Sequence, residues 1–303
     1  MLEKAMKNTE LVVKSNRLVE ASYRLDLVEQ RIVLLAVVHA RESGRGLNAV
    51  DFVPITAKDY GERFGVDERN AYQQIKDASK TLYERGFVLY DTDPDSGKPR
   101  VIKTRWVSAS SYIDGTGTVQ IQFAGAVVPY ITRLEAEFTS YRLEKIANMT
   151  SAYAIRLYEL LMQWDSTGQR KVDLEWLRQI LQVTGYKAIK DFKKYVIDVA
   201  ITQINAHSDL TVSYTQQKTG RNVSHFIFSF NHKEEPKPEK QKSAKNKPAE
   251  TLSKTAERFV EFLTGNETYK RKYANISPSV ALHTPAITAE FDVEFKAWLR
   301  GKK

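Results

Sequence analysis

Lys187, Lys190, Lys193 and Lys194 crowd within two turns of one candidate helix, and Arg69, Asn70, Gln73, Lys76 and Lys80 are spaced alike on another. Lysine ammoniums are point charges suited to phosphate oxygens, whereas Arg, Asn and Gln offer paired hydrogen-bonding groups that fit base edges. Lys98 with Arg100, and Lys218 with Arg221, add cations at two glycine-containing turns, 94–99 and 216–221. Basic turn tips grip a nucleic-acid backbone or enter a minor groove, although solvated loops carry charge too. The chemistry on offer is recognition of a polyanion.

Bond-making chemistry is harder to assemble. Asp91-Thr-Asp-Pro-Asp-Ser-Gly97 begins like a calcium loop, but its glycine comes one place late, Pro94 sits inside and the twelfth position is Ile102. It reads as a turn. Ser96-Gly97-Lys98 has no upstream glycine and runs into Pro99, so it is not a phosphate-binding loop. The five histidines, His39, His207, His225, His232 and His283, include no His-x-His pair of the kind that serves a DNA-nicking tyrosine. The chain has no cysteine, which excludes disulfides and thiolate metal sites and suits a reducing compartment. No catalytic residue, cofactor or metal is expected.

Helical arithmetic positions the cations. At about 100° per residue, Ile189, Phe192, Val196 and Val199 share one face, opposite Lys187, Lys190 and Lys194, with Lys193 on the flank. Further along, Ile197, Ile201 and Ile204 bring apolar side chains onto the basic face, so only the first two turns can be wet. On the other helix, Ala71, Ile75, Ala78 and Leu82 form the packed stripe. Arg69, Gln73, Lys76 and Lys80 lie opposite it, with Asn70 and Gln74 alongside. A polar outer face is also what any surface helix shows. Context separates the two readings.

That context is an internal repeat, offset by roughly 110 residues. A short helix (55–65), a glycine turn, a long helix (67–84) and two strand-like runs (87–90, 101–107) form the first copy. The second has 172–181, a turn at 183–185, the helix 187–205, and strands 210–214 and 223–230. Helix, turn, helix and hairpin is the layout of a winged helix, whose second helix enters a major groove. The expected fold is therefore α+β, with two tandem winged-helix domains. Residues 10–137 form the first, read as dimerisation and DNA contact, and 138–232 the second, read as the main binding domain. The Lys-, Glu- and Pro-rich stretch 233–254 has too little apolar surface to fold and reads as a flexible linker. A short C-terminal tail, 255–303, follows, with helices near 255–263 and 291–299 but too few apolar residues for a core of its own.

Elsewhere the sequence predicts an extended or helical entry at 11–18 and a strong helix over 21–40. A strand at 118–123, a helix at 125–137, a connection at 138–149 and a core helix at 152–164 capped by Thr150 or Ser151 complete the reading. The net charge of +9 favours DNA, RNA or anionic lipid as partner. The apolar run 32–38 is too short to span a bilayer, and no signal-peptide order precedes it. A cytoplasmic protein without membrane contact is expected.

Several segments resemble the iteron-binding plasmid replication initiators of the RepE and Pi type. They are Val13-Lys-Ser-Asn16 with Leu18, Phe138-Thr-Ser-Tyr-Arg-Leu143 and, most specifically, Ser151-Ala-Tyr-Ala-Ile-Arg-Leu-Tyr-Glu-Leu160. The strand Leu210-Thr-Val-Ser-Tyr214, Gly220-Arg221 and the run 226–230 continue the match, which covers about residues 10–232. The resemblance implies binding of double-stranded DNA: origin iterons as a monomer, and an operator inverted repeat as a homodimer that represses its own gene. It also implies origin opening and recruitment of a host replication initiator, helicase and chaperones. Relatives often carry arginines in the helix corresponding to 187–205, where this chain has lysines. Which lysines read bases and which hold phosphates stays open. A dedicated winged-helix repressor is the alternative reading, and a nicking replication enzyme a disfavoured third.

Overall fold

The computed structural model describes residues 10–93, 95–132, 138–183, 185–233, 250–273, 276, 278, 281 and 285–301. Most of the expected linker, 234–249, lies outside them. The entry segment is a strand followed by a helical turn: β1 (Leu11–Ser15) leads into α1 (Asn16–Val19), whose Leu18 amide is accepted by the Ser15 hydroxyl. α2 (Leu27–Ser43) begins later than the expected residue 21. Asp26 and Glu29 form a reciprocal capping box that fixes the helix start, and Gly44, at φ +70°, ends it. Residues 32–38 are all buried, so the apolar run is the centre of a helix packed on every side.

The first repeat unit consists of β2 (Val53–Thr56), α3 (Ala57–Phe64), α4 (Glu68–Glu84) and four strands. Thr56 caps α3 and Asp67 caps α4, its carboxylate accepting from the Arg69 and Asn70 amides. Ala71, Ile75, Ala78 and Leu82 are buried, as the periodicity requires. β3 (Gly86–Thr92) and β4 (Pro99–Arg105) pair as the wing. The expected run 101–107 divides at Trp106, whose fully buried ring packs edge-on to Tyr23 (4.9 Å) and against Phe87 (4.7 Å). There the chain leaves the wing and enters β5 (Val107–Ile113), which joins β6 (Thr118–Phe123) and β2 in a sheet of order β2-β6-β5. The helix expected over 125–137 shrinks to α5 (Pro129–Thr132), with 133–137 outside the described residues. Turns closed by the Val127 and Val128 amides on the Ala124 carbonyl precede Pro129, which lacks an N–H and stands at a first turn.

β7 (Phe138–Arg142) lies in the stretch expected to be a connection and pairs antiparallel with β1. α6 (Ala152–Met162) carries the most specific sequence block. Ser151 occupies its cap position without a side-chain bond; Gln203 Oε1 instead accepts from the Thr150 and Ser151 amides, 2.8 Å each. The helix stops at Met162, and Trp164, expected in the core, is 46% exposed. Two charged members of the block are buried for a reason. Glu159, fully buried, pairs with Lys14 of β1 at 2.5 Å and accepts from the Tyr141 hydroxyl at 2.6 Å. Arg156 donates to the Val19 and Ala21 carbonyls and lies 3.7 Å from Glu159 Oε2. The block thus ties α6 to the entry segment through charge-assisted bonds in a low dielectric.

The second repeat unit adds a strand the sequence reading did not contain, β8 (Gln169–Asp173). It is followed by α7 (Leu174–Ile180), α8 (Ile189–Phe192), a π-turn (Lys193–Ile197), α9 (Asp198–His207), β9 (Leu210–Thr219) and β10 (Asn222–His232). The sheet order is β8-β10-β9. Both units therefore present helix, turn, helix and hairpin.

α10 (Glu250–Gly265) begins inside the stretch expected to be linker, whose last residues, 250–254, are helical because they continue a helix that carries the apolar Phe259, Phe262 and Leu263. With α11 (Glu267–Lys272) and α12 (Pro285–Gly301) it buries these and Phe291 and Phe295. Phe259 and Phe295 meet edge to face at 4.8 Å, and α12 lies against α2. Clustered aromatics bury much area per residue, so few apolar positions suffice for this small core. Among the described residues, no helix is long and apolar enough to cross a membrane.

Candidate nucleic-acid interface

Placement of the second unit's cations begins with α7. Asp173 caps it, accepting from the Trp176 amide at 2.9 Å. From its last turn, Arg178 donates to the backbone carbonyls of Tyr186 and Lys187 and sets its guanidinium 4.5 Å above the Phe192 ring. Phe192 is fully buried. One side chain thereby fixes both the turn and the start of the next helix.

That helix has a phase change. A π-turn holds one residue more than an α-turn, which sets the following residues back by about 100°. Phe192 and Val196 are buried before the change, and Ile197, Ala200 and Ile204 after it. Val199, expected in the packed stripe, instead emerges 37% exposed. The apolar side chains expected to invade the basic face are thus returned to the core. Burial of a large apolar side chain contributes roughly 1.5–3 kcal/mol, which favours the wide turn over exposing Ile197 and Ile204. Lys187, Lys190 and Lys194 stand exposed and Lys193 half-buried. None of the four forms an ion pair among the described residues.

The hairpin beside this helix brings up two further cations. Lys218 and Arg221 are exposed at its tip, where Gly220 adopts φ +63°. A left-handed conformation at the turn is one glycine takes without strain. Lys187, Lys190, Lys193 and Lys194 on the helix and Lys218 and Arg221 at the hairpin tip all belong to the second winged-helix unit.

The first unit differs in its charge. Arg69 and Asn70 are exposed at the start of α4, and Gln73 and Lys80 stand along it. Gln73 donates to Asp77 at 2.6 Å and Lys80 pairs with the same carboxylate at 3.1 Å, which together hold Asp77 below the usual carboxylate range. Lys76 is half-buried. Its ammonium lies 2.8 Å from Asp114 in the β5–β6 turn and 4.2 Å from the Tyr112 ring centroid. The bond to Asp114 raises Lys76 and lowers Asp114 from their ordinary values. In the wing, Lys98 is exposed, whereas Arg100 pairs with Asp91 at 3.0 Å and Asp93 at 3.5 Å. Asp91 also receives Arg17 and the Tyr130 hydroxyl. Arg100, Lys76, Gln73 and Lys80 are therefore engaged within the chain, unlike their counterparts in the second unit.

Comparison with known proteins decides the family. Residues 11–162 match the family described as Initiator Replication protein, WH1, and residues 173–230 match Initiator Rep protein, WH2. The chain belongs to this initiator family. In fold, the initiator is similar to the Pi initiator protein solved in complex with iteron DNA: TM-score 0.63, 19% identity, covering 75% of this chain and 99% of that one. The WH1 domain of the replication protein MSBI1.176 is 48% identical over 41% of this chain and 93% of that one, with a TM-score of 0.35. An uncharacterised 27.6 kDa protein of Escherichia coli is 26% identical over 245 residues, 78% of this chain and all of that one. The initiator's two family matches fall on the two winged-helix units, and α10–α12 lie beyond both.

Three residues of the interface were not singled out from the sequence. Arg178 gives no signal there, because a basic residue in a last helical turn is ordinary. Tyr186 and Tyr195 stack on one another, and the adjacent apolar pair Val196-Ile197 was the available hint that the helix phase changes beside them.

Proposed function

We propose that this initiator binds repeated sites in a plasmid origin through its second winged-helix unit. The observation that carries the reading is the lysine face at 187–194, without an ion pair among the described residues, on the unit whose hairpin tip carries Lys218 and Arg221, while cations of the first unit are held by Asp77, Asp91, Asp93 and Asp114. DNA phosphates must displace a carboxylate to engage a paired lysine, but gain an unpaired one outright. The second unit is accordingly the principal reader and the first an auxiliary one, with Arg69, Asn70 and Lys98 its free contacts.

The site class that fits this reading is iteron DNA, as in the Pi complex, with monomers bound to direct repeats. The same reading includes origin opening, recruitment of a host initiator, helicase and chaperones in the bacterial cytoplasm, and repression of the protein's own gene by a homodimer at an inverted repeat. The test is a footprint on DNA flanking the gene, with the oligomeric state of each bound species measured. Monomers on a series of direct repeats support the initiator reading. Dimers on a single inverted repeat alone would make the protein a dedicated repressor, and no protection would overturn DNA binding.

A further inference from the structure

Lysine is a poor discriminator between bases, because a flexible point charge fits a phosphate or any base acceptor. A reading face built only of Lys187, Lys190, Lys193 and Lys194 would hold DNA without choosing a sequence. Phe192 within that stretch is fully buried, but the residue after Lys194 is an aromatic that reaches solvent. Tyr195 is 45% exposed, although it follows Lys194 directly and precedes two buried residues, Val196 and Ile197.

Single exposed aromatics are common and by themselves mean little. Tyr195 is distinguished by how firmly it is held. Its ring stacks on Tyr186, centroids 5.2 Å apart and planes 24° from parallel. The Lys194 ammonium lies 4.9 Å from the same ring. Tyr186 is anchored in turn, since its carbonyl accepts from Arg178. Tyr195 also lies within the π-turn, beside the buried pair Val196 and Ile197. Such a side chain has little rotational freedom left to lose on binding.

We propose that Tyr195 is a sequence-reading residue of the second recognition helix, pressing its ring edge on thymine methyl groups in the major groove. This rests on the DNA-binding reading above. Tyr186 covers one ring face, which leaves the edge among the parts of the ring open to a ligand. In the major groove, thymine is the base that offers an apolar group, its 5-methyl, and apolar side chains discriminate by touching it. Val199, exposed on the far side of the π-turn, adds a second apolar side chain to the same helix. The flanking lysines favour an anionic partner over an apolar protein surface, and Asp191 and Asp198 are the acidic residues on this helix segment; Asp198 is occupied by the Tyr214 hydroxyl at 2.8 Å.

The test uses the full-length protein and three probes: a duplex carrying one footprinted repeat, the same duplex with deoxyuridine replacing thymine, and a random-sequence duplex. Tyr195→Ala is expected to bind the repeat about tenfold or more weakly, and the random duplex as the wild type does. Its salt dependence should match that of the wild type, since tyrosine carries no charge. Deoxyuridine should weaken the wild type but leave Tyr195→Ala unaffected, and Tyr195→Phe should behave as wild type. An unchanged thermal midpoint shows that the exposed substitution leaves the fold intact. Wild-type affinity of Tyr195→Ala for the repeat, equal losses on repeat and random duplex, or a wild type indifferent to deoxyuridine would each overturn the proposal while leaving DNA binding in place. Absence of any footprint would overturn both.

Discussion

Lys76 on the long helix of the first unit is engaged by Asp114, 2.8 Å away in the β5–β6 turn, while Lys190 and Lys194 on the second helix of the second unit have no ion-pair partner among the described residues. Two units of like architecture thus differ in what they offer a polyanion. The difference is electrostatic and local, and it can be moved by single substitutions.

Asp114→Asn should release Lys76 and raise affinity for any duplex severalfold. The slope of log K against log salt should steepen by up to about one, the share of one phosphate contact. In a Lys76→Ala background the same substitution should give no gain. Fluorescence anisotropy across a salt series reads both; an equal gain in the two backgrounds would show that Asp114 does not act through Lys76.

Glu159→Gln should be severely destabilising. It leaves Lys14 and Arg156 as buried cations beside an uncharged amide, and removing one partner of a buried charge network costs about 3–5 kcal/mol. Lys14→Met, which removes a cation and leaves Glu159 facing Arg156, should cost less. Urea unfolding measures the pair, and the reverse order would contradict the arrangement described.

Arg178→Ala should weaken binding to the footprinted repeat more than binding to random DNA. The carbonyls of Tyr186 and Lys187 lose their donor and the Phe192 ring its cation, for a stability loss of about 1–3 kcal/mol. Arg178→Lys should restore stability in part without restoring the two-carbonyl fork. Parallel losses on both DNAs would mean that Arg178 merely supports the fold.

The long second helix of each unit, the packed stripe of the first and the two wings were legible from hydrophobic periodicity and turn residues. Ala71, Ile75, Ala78 and Leu82 needed only the 3.6-residue repeat. What escaped was set by partners distant in sequence. β7 exists because β1 pairs with it, Leu11 opposite Arg142 and Ser15 opposite Phe138, partners too distant in sequence for any local pattern to show. β8, five residues long, likewise acquires its strand character from β10. The misplacement of Val199 followed from assuming one helical phase throughout, whereas the adjacent buried pair Val196-Ile197 forces a π-turn. At the interface, residue types identified the cations, but only the tertiary positions of Asp114 and Asp91 revealed which cations are engaged.

A protein ending at Lys233 should keep its DNA affinity. Lys233 itself must stay, because its ammonium bonds the Asn205 and Ser208 carbonyls at the end of α9. Loss of α12 from the surface of α2 should lower the thermal midpoint by a few degrees. Lost DNA binding in this truncated form would place part of the interface in α10–α12.

The central claim is that the lysines at 187–194 form the principal DNA contact. The most direct measurement is the salt dependence of binding to the footprinted repeat for wild type and for the variant with Lys187, Lys190, Lys193 and Lys194 all changed to Ala. Loss of about three to four from the slope, with unchanged folding, is the predicted result. An unchanged slope in a folded variant would contradict the claim and move the interface elsewhere on the molecule.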